Sequence, residues 1–208
     1  MIIRSLGRVG YQQTWDAMRA FTDARTPETA DELWLCEHAP VFTQGVASKP
    51  EHLLRNPANI PVIKTDRGGQ ITYHGPGQAM IYVLFDLKRA GYGVRAMVMR
   101  IESAVIALLA THGVEAYGKR DAPGVYVAVQ RQEAKIAALG LKVRHGSTYH
   151  GLAFNVNMDL SAFSAINPCG YADLRVTHLH ELGVNLSLDA AGVSLAEELR
   201  RQLTAPTK

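Results

Sequence analysis

The stretch of residues 67–78 most constrains what this chain can fold into, because four glycines and a proline interrupt a run that is otherwise typical of a strand. The stretch reads RGGQITYHGPGQ, and patterns of buried strands flank it at residues 61–64 and 79–85. Glycines in this arrangement let the backbone turn sharply or let another group approach closely. Hydrogen-bonding side chains are also concentrated here: Arg67, Gln70, Thr72, Tyr73, His74 and Gln78. We therefore predict a loop that surrounds a ligand; a polar hairpin without a ligand is the alternative.

The common nucleotide and metal motifs are missing from the sequence. Residues 67–78 contain no Gly-x-Gly-x-x-Gly pattern that opens a helix and no Gly-Lys-Ser/Thr. The chain also lacks paired carboxylates in an acid/base motif and the spacings His-x-x-x-His and Cys-x-x-Cys. We therefore expect neither a metal nor another cofactor.

Length and charge narrow the class of protein. The chain has 208 residues, 47% of them hydrophobic and 20% charged, which predicts one globular domain over residues 1–208. The net charge of +3 is spread along the chain, so we expect no nucleic-acid partner. No apolar run reaches the ~18 residues of a membrane span, and the first residues lack the layout of a signal peptide. We expect a cytoplasmic protein that does not enter a membrane.

The spacing of apolar residues predicts a mixture of helices and strands. Helices are predicted over residues 8–24, over roughly 18 residues from Val94, and from Ser194, where Glu197 would complete a capping box. Residues 46–60 read as an irregular surface loop, and a polar loop at residues 38–45 could form a wall of the same ligand pocket. Strands are predicted at residues 33–37, 125–129, 135–143 and 148–157. The last three are joined by short turns, which favours an antiparallel meander in an α/β protein.

The two cysteines have different surroundings. Cys36 lies in an apolar strand and is expected to pack as a small hydrophobic residue. Cys169 lies between Pro168 and Gly170, in a loop that could expose its sulfur to a substrate; a half-buried structural thiol is the alternative.

A nucleophilic thiol needs a group that favours its thiolate form. His74 and His150 are bounded by glycines, but each alone is more typical of a structural histidine. Lys135 opens an apolar strand, where it would lose hydration, although a solvated strand end is the simpler interpretation of that position.

Four segments together resemble one family, the lipoyl(octanoyl) transferases of protein lipoylation. They are residues 67–78, residues 121–127, residues 135–140, and residues 148–153 leading to residues 167–170. The resemblance covers residues 30 to 175 and becomes loose after residue 172. It implies the fold of the biotin and lipoate protein ligases, a single α/β domain with a mixed sheet flanked by helices.

The resemblance also implies an activity. Members of the family transfer an octanoyl or lipoyl group from acyl carrier protein to the ε-amine of a lysine, the first step of endogenous protein lipoylation. The acceptors are lipoyl domains of 2-oxo acid dehydrogenases and the glycine cleavage H protein. Because a thioester donor is already activated, no ATP is needed. We expect a monomer, since nothing resembles a dimerisation segment.

By the same resemblance, Cys169 is the acyl-thioester nucleophile, and Lys135 lowers its pKa and shuttles protons. The family's substrate pocket corresponds here to Arg67, Gly68, Gly69, Gln70, Ile71, Thr72, Tyr73, His74, Ala138, Leu139, Gly140, Gly151, Leu152 and Ala153. Two other functions remain open from the sequence. One is an ATP-dependent ligase of the same fold, which would not need the cysteine; the other is a non-catalytic protein that binds acyl groups or lipoyl domains.

Overall fold

A computed structural model describes residues 1–56, 58–167 and 174–206. The helices are α1 (Tyr11–Asp23), α2 (Leu87–Ala90), α3 (Val94–Thr111) and α4 (Leu188–Thr204). The strands are β1 (Ile2–Arg8), β2 (Glu32–Glu37), β3 (Val41–Gln44), β4 (Val62–Lys64), β5 (Ile71–His74), β6 (Gln78–Asp86), β7 (Ala116–Gly118), β8 (Gly124–Val129), β9 (Gln132–Arg144), β10 (Ser147–Asn155) and β11 (Arg175–Val176).

The described strands form a large mixed sheet and a small one. The large sheet has the order β1-β2-β6-β10-β9-β8-β7, with β11 also pairing with β9, and the small sheet has the order β4-β3-β5. Strands β8, β9 and β10 pair antiparallel in succession, so the predicted meander is confirmed. Its two turns contain residues with positive φ, Gln130 and Arg131 in the first and His145 and Gly146 in the second. The α/β class and the mixed sheet flanked by helices are confirmed.

The large sheet is covered by helices on both faces. Helix α1 covers one face, where Met18 packs with Trp34, Tyr82 and Tyr149. The longest described helix, α3, packs with α4 on the other face, where apolar residues of both helices meet the strands. A third apolar cluster lies on the small sheet, around Phe42, Ile71 and Phe163. In the described part of the chain, no helix combines the length and the apolar character needed to cross a bilayer.

The prediction that the last helix starts at Ser194 was wrong. Helix α4 begins at Leu188, and the side chain of Ser187 caps it by accepting a hydrogen bond of 3.1 Å from the backbone N–H of Ala190. Gly192, early in the helix, lets the helix approach the sheet closely. A Cβ added to Gly192 would lie 2.8 Å from Leu35 Cδ1. Close packing therefore overrides the weak helix propensity of this turn.

Several of the remaining sequence predictions are confirmed, some with shifted boundaries, and one strand was not predicted. Helix α1 and the helix from Val94 are confirmed, although α1 starts three residues later than predicted. Cys36 is confirmed as a buried residue, 5% exposed, and burial raises the pKa of its thiol to about 12. Strand β1 was not predicted. Residues 46–60, where described, are irregular apart from a 3-10 turn at Pro50–His52. Cys169 lies outside the described residues.

Candidate active site

A cavity lies on the α1 side of the large sheet, beneath the loop that leads into β5. Its empty volume is about 520 Å³, including the open mouth. All but two of the residues predicted to bind substrate line it, and Lys135 lines it as well. The predicted residues found there are Arg67, Gly69, Gln70, Ile71, Thr72, His74, Ala138, Leu139, Gly140, Gly151, Leu152 and Ala153. The structure thus brings segments distant in sequence to one enclosed space.

The two exceptions, Gly68 and Tyr73, lie just outside this cavity. Gly68 lines an adjoining groove that shares Gly69 and Gly140 with the cavity. Tyr73 belongs to β5, where side chains alternate between the two faces of the strand. Thr72 and His74 therefore face the cavity, while Tyr73 packs on the small sheet against Phe163, with ring centroids 5.6 Å apart.

The loop before β5 is held tightly against the meander. The backbone N–H of Gly68 donates a hydrogen bond of 2.9 Å to the carbonyl of Leu141 on β9. This approach requires a glycine on the strand, because a Cβ on Gly140 would lie 2.9 Å from the Gly68 oxygen. The loop and the strand therefore form one continuous wall.

Strand β3 and the loop that follows it support that wall from behind. Arg67 is 7% exposed, and its guanidinium donates to the hydroxyl and the carbonyl of Thr43, at 3.1 and 2.7 Å. The backbone N–H groups of Val46 and Ala47 donate to the carbonyls of Arg67 and Gly69. The sequence predicted a polar loop at residues 38–45 that could form a wall of the pocket. Val41–Gln44 are instead the strand β3, and no residue from 38 to 45 lines the cavity, but Thr43 anchors the wall through Arg67.

A β-bulge turns Lys135 into the cavity. Tyr126 pairs with Lys135 and the preceding Val125 pairs with Ala137, so Ile136 is an extra residue on β9. Ile136 and Ala137 consequently both pack into the core under α3, instead of alternating. Lys135 and Ala138 therefore face the same side and line the cavity.

Lys135 is 3% exposed, so the interpretation of a solvated strand end was wrong. Its ammonium donates a hydrogen bond of 3.2 Å to the carbonyl of Pro123 and lies 4.9 Å from the centroid of the Tyr126 ring. Pro123 directly precedes β8, and Tyr126 lies within it. The Lys135 nitrogen is thereby held in the wall of the cavity.

A buried carboxylate stands close to Lys135. Glu102 on α3 accepts a hydrogen bond of 2.9 Å from the backbone N–H of Gly124, which follows Pro123. Burial raises the pKa of Glu102, against the opposing effects of that N–H and of the Lys135 charge. Glu102 therefore fixes the segment whose carbonyl holds Lys135.

The predicted nucleophile, Cys169, lies outside the described residues, between two segments that the structure describes. Before Cys169, the backbone N–H of Asn167 donates 2.9 Å to the carbonyl of His52. After it, β11 runs parallel to β9, with Val176 opposite Lys135. The segment that contains Cys169 therefore leads into a strand paired with that of Lys135.

Apart from Lys135 and Arg67, whose guanidinium is bonded to Thr43, the cavity is lined by side chains that are uncharged at neutral pH. His74 is 4% exposed, and its ring nitrogens contact Gln78 Oε1 at 2.8 Å and Thr43 Oγ1 at 3.2 Å. Burial, with a further contribution from the charge of Arg67, lowers the pKa of His74 to about 3. Tyr11 of α1 stacks on His74 at 5.7 Å, and burial raises the pKa of Tyr11 to about 12. Such a wall suits an uncharged, largely apolar ligand.

Sequence reasoning missed four residues that line the cavity: Tyr11, Met80, Tyr82 and His150. Met80 and Tyr82 lie on β6, whose residues from Ala79 to Phe85 are all apolar and buried, so the pattern does not reveal which face meets a ligand. Tyr11 looked like part of a helical packing stripe. His150 was noted for its neighbouring glycine, but without a role. Within the described residues, no group of three or more His, Cys, Asp or Glu side chains is arranged to hold a metal ion.

Comparison with known proteins defines the class of protein. The sequence model of the lipoyl protein ligase A/B catalytic domain matches residues 10–200. The chain therefore belongs to that family, as the resemblance of its motifs predicted.

The chain is also similar to individual proteins of known name and to solved structures. The octanoyltransferase of Chromobacterium violaceum is 59% identical over 203 residues, which is 98% of this chain and 96% of that protein. A bipartite lipoate protein ligase from Thermoplasma acidophilum has a TM-score of 0.77 at 19% identity, covering 97% of this chain and 82% of that one. The biotin protein ligase of Aquifex aeolicus, with biotin and ATP, has a TM-score of 0.61 at 15% identity, covering 97% and 69%. The biotin and lipoate ligase fold is confirmed.

Proposed function

We propose that this chain is an acyltransferase that moves an octanoyl group from acyl carrier protein to a lysine of a lipoyl domain, through a thioester on Cys169. The family and its curated octanoyltransferase relatives support octanoyl transfer in lipoylation. The observation that carries the finer proposal is the position of Lys135. It is buried in the wall of the cavity, on the strand that β11 joins after Cys169.

The first half-reaction transfers the acyl group to the enzyme. The Cys169 thiolate attacks the thioester carbonyl of octanoyl-acyl carrier protein, a new C–S bond forms, and the C–S bond to the carrier breaks. The carrier leaves as a thiol after taking up a proton, which Lys135 donates. One thioester replaces another, so the step is close to isoenergetic and needs no ATP.

The second half-reaction forms the amide. The ε-amine of the acceptor lysine attacks the acyl-enzyme carbonyl, a C–N bond forms, and the bond to Cys169 breaks. Lys135 takes a proton from the attacking amine and is thereby reset for the next cycle. In both halves its positive charge, while present, favours the thiolate form of Cys169.

The acyl chain would lie along the cavity beneath residues 67–74, which we propose as the substrate-binding loop. The acceptors would be lipoyl domains of 2-oxo acid dehydrogenases and the glycine cleavage H protein. A cytoplasmic monomer remains our prediction for the state in which the protein acts.

Intact-mass measurement after incubation with octanoyl-acyl carrier protein tests the mechanism. We expect wild type to gain one octanoyl group that hydroxylamine removes, since a thioester is labile to it. Cys169→Ala should gain none, and Lys135→Ala should be acylated at least about a hundredfold more slowly. Cys36→Ala is the matched control, because it removes the other cysteine of the chain, which is buried in β2 and does not itself line the cavity.

Acylation of Cys169→Ala at the wild-type rate would rule out the covalent route. Modification of a lipoyl domain from free octanoate and ATP, surviving in Cys169→Ala, would establish the ligase activity instead. Tight binding of acyl carrier protein with no acyl transfer to enzyme or lipoyl domain would support a non-catalytic role.

A further inference from the structure

Helix α3 buries one carboxylate against the sheet. Glu102 is the single acidic residue of this helix and is 8% exposed, while the other buried residues of the helix are apolar. A carboxylate in such surroundings is costly unless hydrogen-bond donors or an opposite charge compensate for its lost hydration. The position of Glu102 therefore points to a partner on the sheet.

A single peptide unit joins Glu102 to Lys135. The N–H of the Pro123–Gly124 unit donates a hydrogen bond of 2.9 Å to Glu102 Oε1, and its carbonyl accepts one of 3.2 Å from Lys135 Nζ. The C=O and N–H of a trans peptide point in opposite directions, so the carboxylate and the ammonium lie on opposite sides of this unit. Each charge meets the end of the peptide dipole that it favours, and the two hydrogen bonds strengthen each other.

Glycines leave room for this arrangement on both sides. A Cβ on Gly124 would lie 3.0 Å from Lys135 Nζ, and a Cβ on Gly118 of β7 would lie 2.8 Å from Glu102 Oε2. In the described part of the chain, the N–H of Gly124 is the one hydrogen-bond donor to the Glu102 carboxylate. One neutral donor compensates poorly for a buried charge, so the ammonium beyond it supplies the main stabilisation.

Other charged or titratable groups lie around Lys135. They are Tyr126 of β8, Glu133 of β9, Arg175 of β11, Lys119 before β8, and Arg67 in the cavity wall. Three of these five are cations. Glu133 already binds Lys119 and its side chain is 33% exposed, so solvent screens its charge. Among the described groups, Glu102 is therefore the carboxylate best placed to stabilise a charge on Lys135.

We propose that Glu102 is a positioning residue for Lys135, whose negative charge, acting across the Pro123–Gly124 peptide, holds the lysine in place and keeps it protonated. The inference rests on the proposed function, in which Lys135 begins the cycle as an ammonium and gives its proton to the leaving thiol. Glu102 does not line the cavity, and it exchanges no proton in either half-reaction.

An NMR titration of the lysine side chains in the full chain tests the proposal directly. Cys169→Ala serves as the parent, so that the thiol does not titrate in the same range, and loss of the signal in Lys135→Arg assigns it. Adding Glu102→Gln removes the charge but keeps an acceptor for the N–H of Gly124, so the pKa of Lys135 should fall by about one unit or more. Glu133→Gln is the matched control, because it removes an equal charge from an exposed pair; it should shift that pKa by less than about 0.3.

The rate of acyl-enzyme formation gives a second readout, with Cys169 present. Since the ammonium is the active form of Lys135, the rate should fall as the pH rises through its pKa. In Glu102→Gln this fall should occur at lower pH, by the same shift that the titration measures. A residue that served packing alone would lower the rate equally at every pH.

An unchanged or raised pKa of Lys135 in Glu102→Gln would overturn the proposal. So would a Lys135 that is already neutral at pH 7 in the Cys169→Ala parent, which requires no change at Glu102. If the titration shifts as expected but wild type forms no acyl-enzyme, the coupling between Glu102 and Lys135 is supported and the proposed function is not.

Discussion

His74 keeps both ring nitrogens bonded inside the protein, to Gln78 and Thr43. Burial and the charge of Arg67 lower the pKa of His74 to about 3, against the opposing effect of the bond to Gln78, so the ring is neutral in the folded state. In the unfolded chain the same group returns to an ordinary pKa near 6.5. Between these two pKa values, the unfolded chain binds one more proton than the folded protein. The contribution of His74 to the free energy of unfolding is therefore complete above about pH 6.5 and is lost as the pH falls.

We expect His74→Gln to flatten the dependence of unfolding free energy on pH. The slope between about pH 5 and 6.5 should fall by up to about 1.4 kcal/mol per pH unit, the contribution of one proton. Urea denaturation at a series of pH values measures the slope, which is insensitive to a constant loss of stability. His145→Gln is the control, because His145 is exposed. Equal slopes in wild type and His74→Gln would show that His74 does not resist protonation in the fold.

At the scale of the elements, the sequence predicted the strands of the meander but not how they present their side chains. Alternation along β9 would place Lys135 and Ala137 on one face, whereas the bulge at Ile136 places Lys135 with Ala138. Along β10, alternation would place the side chains of Tyr149 and His150 on opposite faces, but the left-handed backbone at His150 places both on the same face. A bulge and a positive φ depend on pairing with neighbouring strands, which local sequence does not specify.

The start of α4 shows a related limit. Ser194 and Glu197 match the capping-box pattern, yet Ser194 is an exposed residue within the helix. The pattern alone does not separate a cap from two helical residues one turn apart. The packing of Gly192 on Leu35 favours a helix that begins before Ser194, and that contact joins elements far apart in the chain.

The two serines of α4 provide a direct comparison. Ser187→Ala should lower the unfolding free energy by about 1 kcal/mol, because the backbone N–H of Ala190 loses its partner. Ser194→Ala should change it by less than about 0.5 kcal/mol, or stabilise slightly, since alanine favours the helix interior. Urea denaturation of both variants measures the difference. A larger loss for Ser194→Ala would place the cap at the position that the sequence first indicated.

At the scale of the whole molecule, the cavity lies where the small sheet meets the large one. Arg67 binds Thr43 of β3, while its neighbours Asp66 and Gly68 bind His150 and Leu141 of the large sheet. The family resemblance of the motifs was enough to predict that these segments come together around one cavity. The contribution of α1 was not, because Tyr11 and Trp15 reach the site only once the helix packs across β10.

We expect the two sheets to unfold together, because these contacts are buried and join both. Native-state hydrogen exchange should give Thr43 and Thr72 of the small sheet the same opening free energy as Leu139 and Leu152 of the large sheet. That value should equal the global free energy from denaturation. Opening of the small sheet at a free energy several kcal/mol lower would divide the chain into two cooperative units and contradict the prediction of one domain over residues 1–208.

The bulge in β9 has a consequence for how the chain can vary in length. Removing Ile136, or inserting one residue beside it, would restore regular alternation of side chains along β9. Every side chain on one side of the altered position would then point to the opposite face of the sheet. Lys135 would then point at α3, into a core made for Ile136 and Ala137. Variation in length is instead expected at the turns after β8 and β9, where an extra residue alters no strand. In related sequences, the spacing from this lysine to Ala138 should therefore be as fixed as the lysine itself.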